Sequence, residues 1–138
     1  MKSWKKDLRG IGGLDYVVFK GVPMRESKFG DVVDFNLELM EKMAAEAIIA
    51  AQVPIRGLEV RFLRKTLGLS LDSFAKCLSL TAAAVRKWEL KEKERLHPIN
   101  EAVVRALFAE KLDLEISAKF SQLVASAKTP KSLLIQAR

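Results

Sequence analysis

From Leu37 onward, apolar positions recur at three- and four-residue steps. Met40, Met43, Ala44, Ala47, Ile48 and Ala51 form one stripe, which predicts a helix over 37–53. Pro54 is expected to end it, because proline disfavours the α conformation in the residue before it. Five further helical segments follow. Gly57–Leu67 turns Leu58, Val60, Phe62, Leu63 and Leu67 inward and stops at Gly68; Leu71–Leu78 starts from an N-cap at Ser70. Thr81 caps a helix running to Leu90. The charged loop KEKERLH then leads to a helix over Asn100–Leu112. Ile116, Phe120, Leu123, Val124 and Ala127 mark an amphipathic C-terminal helix, and residues 128–138 read as a frayed basic tail. Upstream the period is different. Asp15–Lys20 (DYVVFK), Val22–Arg25 and Asp31–Phe35 are rich in β-branched and aromatic residues and separated by Gly21 and Gly30, which predicts a small hairpin or meander. Residues 1–15, with Gly10, Gly12 and Gly13 among lysines, read as a mobile arm.

Composition narrows the function classes. Of the 138 residues, 49% are apolar and 30% charged, the balance of a globular chain rather than a disordered one. The longest apolar block, Met43–Val53, is broken by Glu46 and falls well short of the ~20 residues that span a membrane. The opening MKSWKKDLRG leads into no apolar stretch, so no secretory signal and a cytoplasmic location are expected. A lone Cys77 and a lone His97 exclude a CxxC pair, so no metal and no cofactor are expected. The same scarcity leaves no nucleophile–base pair and no phosphate-cradling glycine loop, which points away from an enzyme. The net charge is +7, and residues 54–97 hold most of the surplus, with ten basic side chains against five acidic. Such a segment suits a polyanion, because neutralised phosphates release counterions; a solvated basic face without a partner is the alternative.

Within that basic segment, LSLDSFAKCLSLTAAAVRKWE describes two short helices joined by a tight turn, with Phe74, Ala75, Leu78, Leu80, Val85 and Trp88 apolar and Ser79 at the turn. This spacing fits a helix-turn-helix, and a plain helical hairpin also satisfies it. The longer stretch RGLEVRFLRKTLGLSLDSFAKCLSLTAAAVRKWE resembles the XRE-type, phage-repressor-like helix-turn-helix. It is most similar to the MqsA (YgiT-type) family of antitoxin regulators, on PIRGLEVRFLRKTLGLS followed by KWE and on the upstream YVVFKGVPMRES; the likeness covers roughly residues 14–112. Zinc-binding members carry a CxxC where this chain reads ESKFG (Glu26–Gly30), so the family's metal site is not carried over.

The resulting expectation is a mainly α fold: a five-helix phage-repressor-like domain over 54–127, preceded by a small β element and one helix in 1–53, with 128–138 as the tail. In a helix-turn-helix the start of the second helix enters the major groove. The expected DNA-facing residues are therefore Thr81, Ala82, Ala83, Arg86 and Lys87, with Lys91 beyond the helix suited to a phosphate. Alanines at 82 and 83 offer only methyl contacts; alternatively they are helix formers facing solvent. The resemblance further implies a structural ion pair between Arg64 and Glu89. Trp88 is read as core, Cys77 as inert and His97 as a loop residue.

The leading functional expectation is a sequence-specific repressor binding a double-stranded DNA operator as a homodimer, and, as the resemblance implies, the antitoxin of a toxin–antitoxin pair with a cognate toxin as partner. The dimer contact is expected on the stripe of Ile116, Phe120, Leu123 and Val124; the alternative is that this stripe folds back on residues 37–53 or 98–112 of the same chain. The alternative is a protein-interaction module that neutralises a toxin without binding an operator.

Overall fold

The computed structural model describes residues 2–115, 123 and 128–137. It divides into two compact units, one of Met1–Ala44 with Pro130–Arg138, the other of Ala45–Thr129. The division falls inside the first helix rather than at Pro54, and the C-terminal segment belongs with the N-terminal unit.

The first unit is a four-stranded mixed sheet of β1 (Ser3–Arg9), β2 (Val17–Ser27), β3 (Gly30–Val33) and β4 (Leu133–Gln136). β2 pairs antiparallel with β1 and β3, and parallel with β4 through Val17↔Leu133 to Lys20↔Gln136. This corrects the mainly α expectation. Among the described residues, five α-helices accompany this sheet, and both supposedly loose ends supply strands. The glycines that suggested a mobile arm instead make the link from β1 to β2. Gly10, Gly12 and Gly13 take positive φ (86°, 75° and 80°) around a single 3-10 turn. Gly21 does not separate two strands either. It sits at a bulge in one eleven-residue strand, with φ 66°, where the β1 register slips between Lys6 and Leu8.

The bulge is pinned by Asp7, whose carboxylate accepts the Gly21 N–H at 3.0 Å and the Lys20 ammonium at 2.9 Å. Those bonds hold the Asp7 carboxyl below the usual carboxylate range, the Gly21 backbone bond being the largest cause. The start of β4 is tied to β1 by Arg9, which donates to the Lys131 carbonyl (3.3 Å) and to the Ser132 hydroxyl (2.8 Å). At the β2–β3 turn, Ser27 Oγ donates to the Gly30 carbonyl (2.7 Å) and accepts the Phe29 N–H (3.2 Å).

α1 (Leu37–Ala50) belongs in part to each unit. The second unit continues with α2 (Gly57–Thr66), α3 (Leu71–Cys77), α4 (Ala82–Leu90) and α5 (Pro98–Lys111). Four helices thus follow residue 54 among the described residues; the expected C-terminal helix lies, apart from Leu123, outside them. Four of the helices end in the same Schellman geometry, with one residue at positive φ. After α1 it is Gln52 (54°), after α3 Ser79 (56°), after α5 Asp113 (57°), and only after α2 is it a glycine, Gly68 (69°). α1 is therefore stopped by Gln52, two residues before Pro54. The core of this unit is built on Ile48, Ile55, Val60, Leu63, Phe74, Val85, Val104 and Phe108, all at 0% exposure. Phe74 and Phe108 stack at 5.4 Å. No helix among the described residues is long and apolar enough to cross a membrane.

Because the Asp7 pKa is lowered in the folded chain, the stability it lends is present at neutral pH and lost as the pH falls through that lowered value. Asp7→Asn is expected to flatten this acid limb, read from melting temperatures across an acid pH series. An acid limb identical to that of the wild type would contradict the assignment.

Candidate nucleic-acid interface

α4 is the helix on which the sequence reading converges, and three features set its position. Thr81 caps its start, its Oγ1 accepting the Ala84 N–H at 3.2 Å. Val85, fully buried, anchors its middle. Glu89, 5% exposed, anchors its last turn. The Glu89 carboxylate accepts two hydrogen bonds from Arg64 on α2, Nε to Oε2 at 2.7 Å and Nη2 to Oε1 at 2.9 Å. Arg64 also donates to the Leu69 carbonyl at 2.9 Å, and Arg61 donates to the Glu89 carbonyl at 2.9 Å. The bond to Glu89 holds the Arg64 guanidinium above its ordinary pKa against the pull of burial. α2 and α4 also approach at Gly57, where a Cβ would run into the Trp88 carbonyl oxygen. A side chain is therefore excluded at that position.

The consequence is an asymmetric helix. Its last turn is bolted to α2, while Thr81, Ala83, Arg86 and Lys87 stand exposed and Ala82 is half-buried. The turn before it, residues 78–81, carries the strained Ser79 and leads straight into the Thr81 cap. Lys91 is exposed just past the helix and lies 3.9 Å from Glu94. Thr81, Ala82, Ala83, Arg86 and Lys87 are thus brought together on α4, with Lys91 at its far end. Chemically this surface offers a guanidinium, an ammonium and a hydroxyl on one helix, and no carboxylate before Glu89. Trp88, read as core, is only partly covered, and Cys77 is exposed. Among the described residues no group of His, Cys, Asp or Glu is placed to hold a metal ion.

A second buried cluster escapes the sequence reading. The Glu101 carboxylate on α5 is fully buried. It accepts from Arg95 (2.9 and 3.2 Å) and from the Ile55 N–H (3.3 Å), and lies 3.7 Å from Arg105. Arg105, 2% exposed, donates to the carbonyls of Val53 (2.7 Å), Leu123 (2.8 Å) and Ile49 (3.3 Å). Burial pulls its pKa down and Glu101 opposes that pull. The loop after α4 is then held to α2, with the Gly57 and Leu58 N–H groups donating to the carbonyls of Glu94 (3.3 Å) and Glu92 (3.1 Å). His97, read as a loop residue, caps α5 by accepting the Ile99 N–H on Nδ1. Its place immediately before Pro98 is a helix-start signal that was available in the sequence.

Removing one partner of a buried ion pair strands the other, at a cost of roughly 3–5 kcal/mol, whereas replacing both with apolar groups is close to neutral. Glu89→Ala is expected to destabilise the chain by about that amount in chemical denaturation, and Arg64→Met/Glu89→Leu to recover most of it. Equal losses in the single and double variants would contradict the pairing. Gly57→Ala is expected to destabilise by roughly 1–3 kcal/mol through overpacking against backbone, and an unchanged melting temperature would contradict that close approach.

No protein-family model, no curated protein and no solved structure matches this chain.

Proposed function

We propose that this chain is a sequence-specific transcriptional regulator, a repressor, that reads double-stranded DNA with α4. One observation carries the reading. The outer face of the first two turns of α4 presents Thr81, Arg86 and Lys87 together, while the buried Arg64–Glu89 pair fixes the last turn. A major groove admits one helix, and it is read by side chains on that helix's leading turns. Arg86 and Lys87 would donate to guanine O6/N7 or to phosphates, Thr81 to a phosphate, and the methyls of Ala82 and Ala83 would meet thymine methyls. Two alanines leave one copy with little direct readout. A homodimer on a pseudo-palindrome with half-sites ~34 Å apart supplies the rest. The stripe expected to form that dimer falls, apart from Leu123, outside the described residues. Ile99 (61% exposed) and Val103 (48%), one turn apart on α5, support a second copy meeting the chain there.

A further role as the antitoxin of a toxin–antitoxin pair is supported by a different surface. Residues 26–41 carry five acidic side chains against one lysine, in a chain of net charge +7. The same stretch exposes Phe29 (89%), Val33 (39%), Leu37 (57%) and Leu39 (46%). An acidic, apolar surface suits a basic protein partner better than DNA.

The test begins with selection of duplexes from a random pool. Arg86→Ala/Lys87→Ala is expected to lose the selected site, at ~1–3 kcal/mol for each base-reading side chain, and to show a shallower salt dependence. A double variant binding with unchanged affinity and salt slope would overturn α4 as the reading helix. For the antitoxin role, a basic protein encoded next to this chain is expected to co-purify with it, and Phe29→Asp to release that protein without altering operator affinity. Co-purification that survives Phe29→Asp would contradict this surface.

A further inference from the structure

Behind the exposed face of α4 lies a groove of about 270 Å³, bounded by Lys87, Trp88 and Lys91 on one side and by residues 94–97 and Asn100 on the other. Its polar groups differ in what they already do. Arg95 is spent on Glu101, Lys91 lies 3.9 Å from Glu94, and His97 Nδ1 caps α5. The Lys87 ammonium and the Asn100 amide make no hydrogen bond or ion pair among the described residues. The groove thus holds two uncommitted donors beside an apolar lining, the partly covered Trp88 indole and the nearly buried Leu96.

We infer that this groove seats the sugar–phosphate backbone of DNA, an inference that rests on the DNA reading of α4. The combination fits that ligand in particular. Phosphodiester oxygens accept hydrogen bonds from an ammonium and an amide, and the deoxyribose carries an apolar C–H face that packs on an indole and a leucine. A small inorganic anion would make no use of the apolar lining. Lys87 belongs both to the exposed face of α4 and to the groove, so a backbone strand flanking the major groove at α4 passes over it. Trp88, Asn100 and Glu94 thereby become determinants of affinity that are indifferent to sequence, the first two favourable and the Glu94 carboxylate opposing.

The experiment measures anisotropy of a labelled mixed-sequence duplex against the full chain, with the selected operator alongside and Arg86→Ala as a reference. Asn100→Asp is expected to weaken binding ~10-fold and Glu94→Gln to tighten it ~3-fold, both equally on the two duplexes, because backbone contacts position without specifying. Glu94→Gln alters only an exposed side chain, so it decides the matter if Asn100→Asp fails to fold. In a Trp4→Phe background Trp88 is the sole indole, and its emission is expected to shift with duplex but not with inorganic phosphate. Groove variants that bind like the wild type while Arg86→Ala binds weakly would overturn the groove and leave the reading of α4 standing. An equal shift with inorganic phosphate would make the groove a simple anion site and overturn its assignment to the backbone. A wild-type chain that binds no duplex would overturn both.

Discussion

The two-pronged hydrogen bond between Arg64 and Glu89 is the interaction on which the proposed reading surface depends. Both groups are largely out of water, and neither is tolerable there without the other. Guanidinium and carboxylate are planar, and they engage fully only in one relative placement. The pair therefore fixes how far α4 is rotated and advanced along α2, to a degree that apolar packing alone does not. Gly57 makes the same demand sterically, by admitting the Trp88 carbonyl where any side chain would stand. With Val85 holding the inner face of α4 and the pair fixing its last turn, the outer face of the first two turns is left free, and the exposed alanine, arginine and lysine there are the result.

Glu101 plays the corresponding part for the loop behind α4. Its buried carboxylate draws in Arg95 from the loop and the Ile55 N–H from the chain leading into α2, and sits beside Arg105 on its own helix. Arg105 in turn donates to the carbonyls of Ile49 and Val53, at and just beyond the end of α1, adding to the bond that the Gln52 N–H already makes to Ile49. Loop carbonyls meet the first N–H groups of α2. Two carboxylates and three arginines thus settle the irregular chain between the helices, where apolar periodicity has nothing to say.

Local chemistry made much of the second unit legible. The stripe Val60, Phe62 and Leu63, the caps at Ser70 and Thr81 and the stop at Gly68 are signals confined to a few residues, and α2, α3 and α4 begin where those signals put them or one residue later. The sheet was less legible, because pairing β4 with β2 joins residues more than a hundred positions apart, and PKSLLIQA carries no local mark of its distant partner. The arm reading of residues 1–15 failed for a related reason. Every residue of β1 except Leu8 is exposed, so the strand shows no alternation for a pattern to detect. At the candidate interface, Arg86 and Lys87 are proposed from their position in the motif, and the structure shows only that both are exposed on α4. The Glu101–Arg105 cluster was not found, since an i,i+4 carboxylate–arginine pair usually marks a solvated helix face.

In the proposed mode of binding, α4 meets DNA through the outer face of its leading turns while its last turn stays bolted to α2. Backbone amide shifts of the isotopically labelled full chain, titrated with its selected duplex, test this most directly. The largest changes are expected on Thr81 to Lys87 and on the Lys91 loop, with the Arg64 and Glu89 amides shifted little and their guanidinium–carboxylate bond intact. Changes confined to the first forty-four residues, with α4 silent, would contradict it.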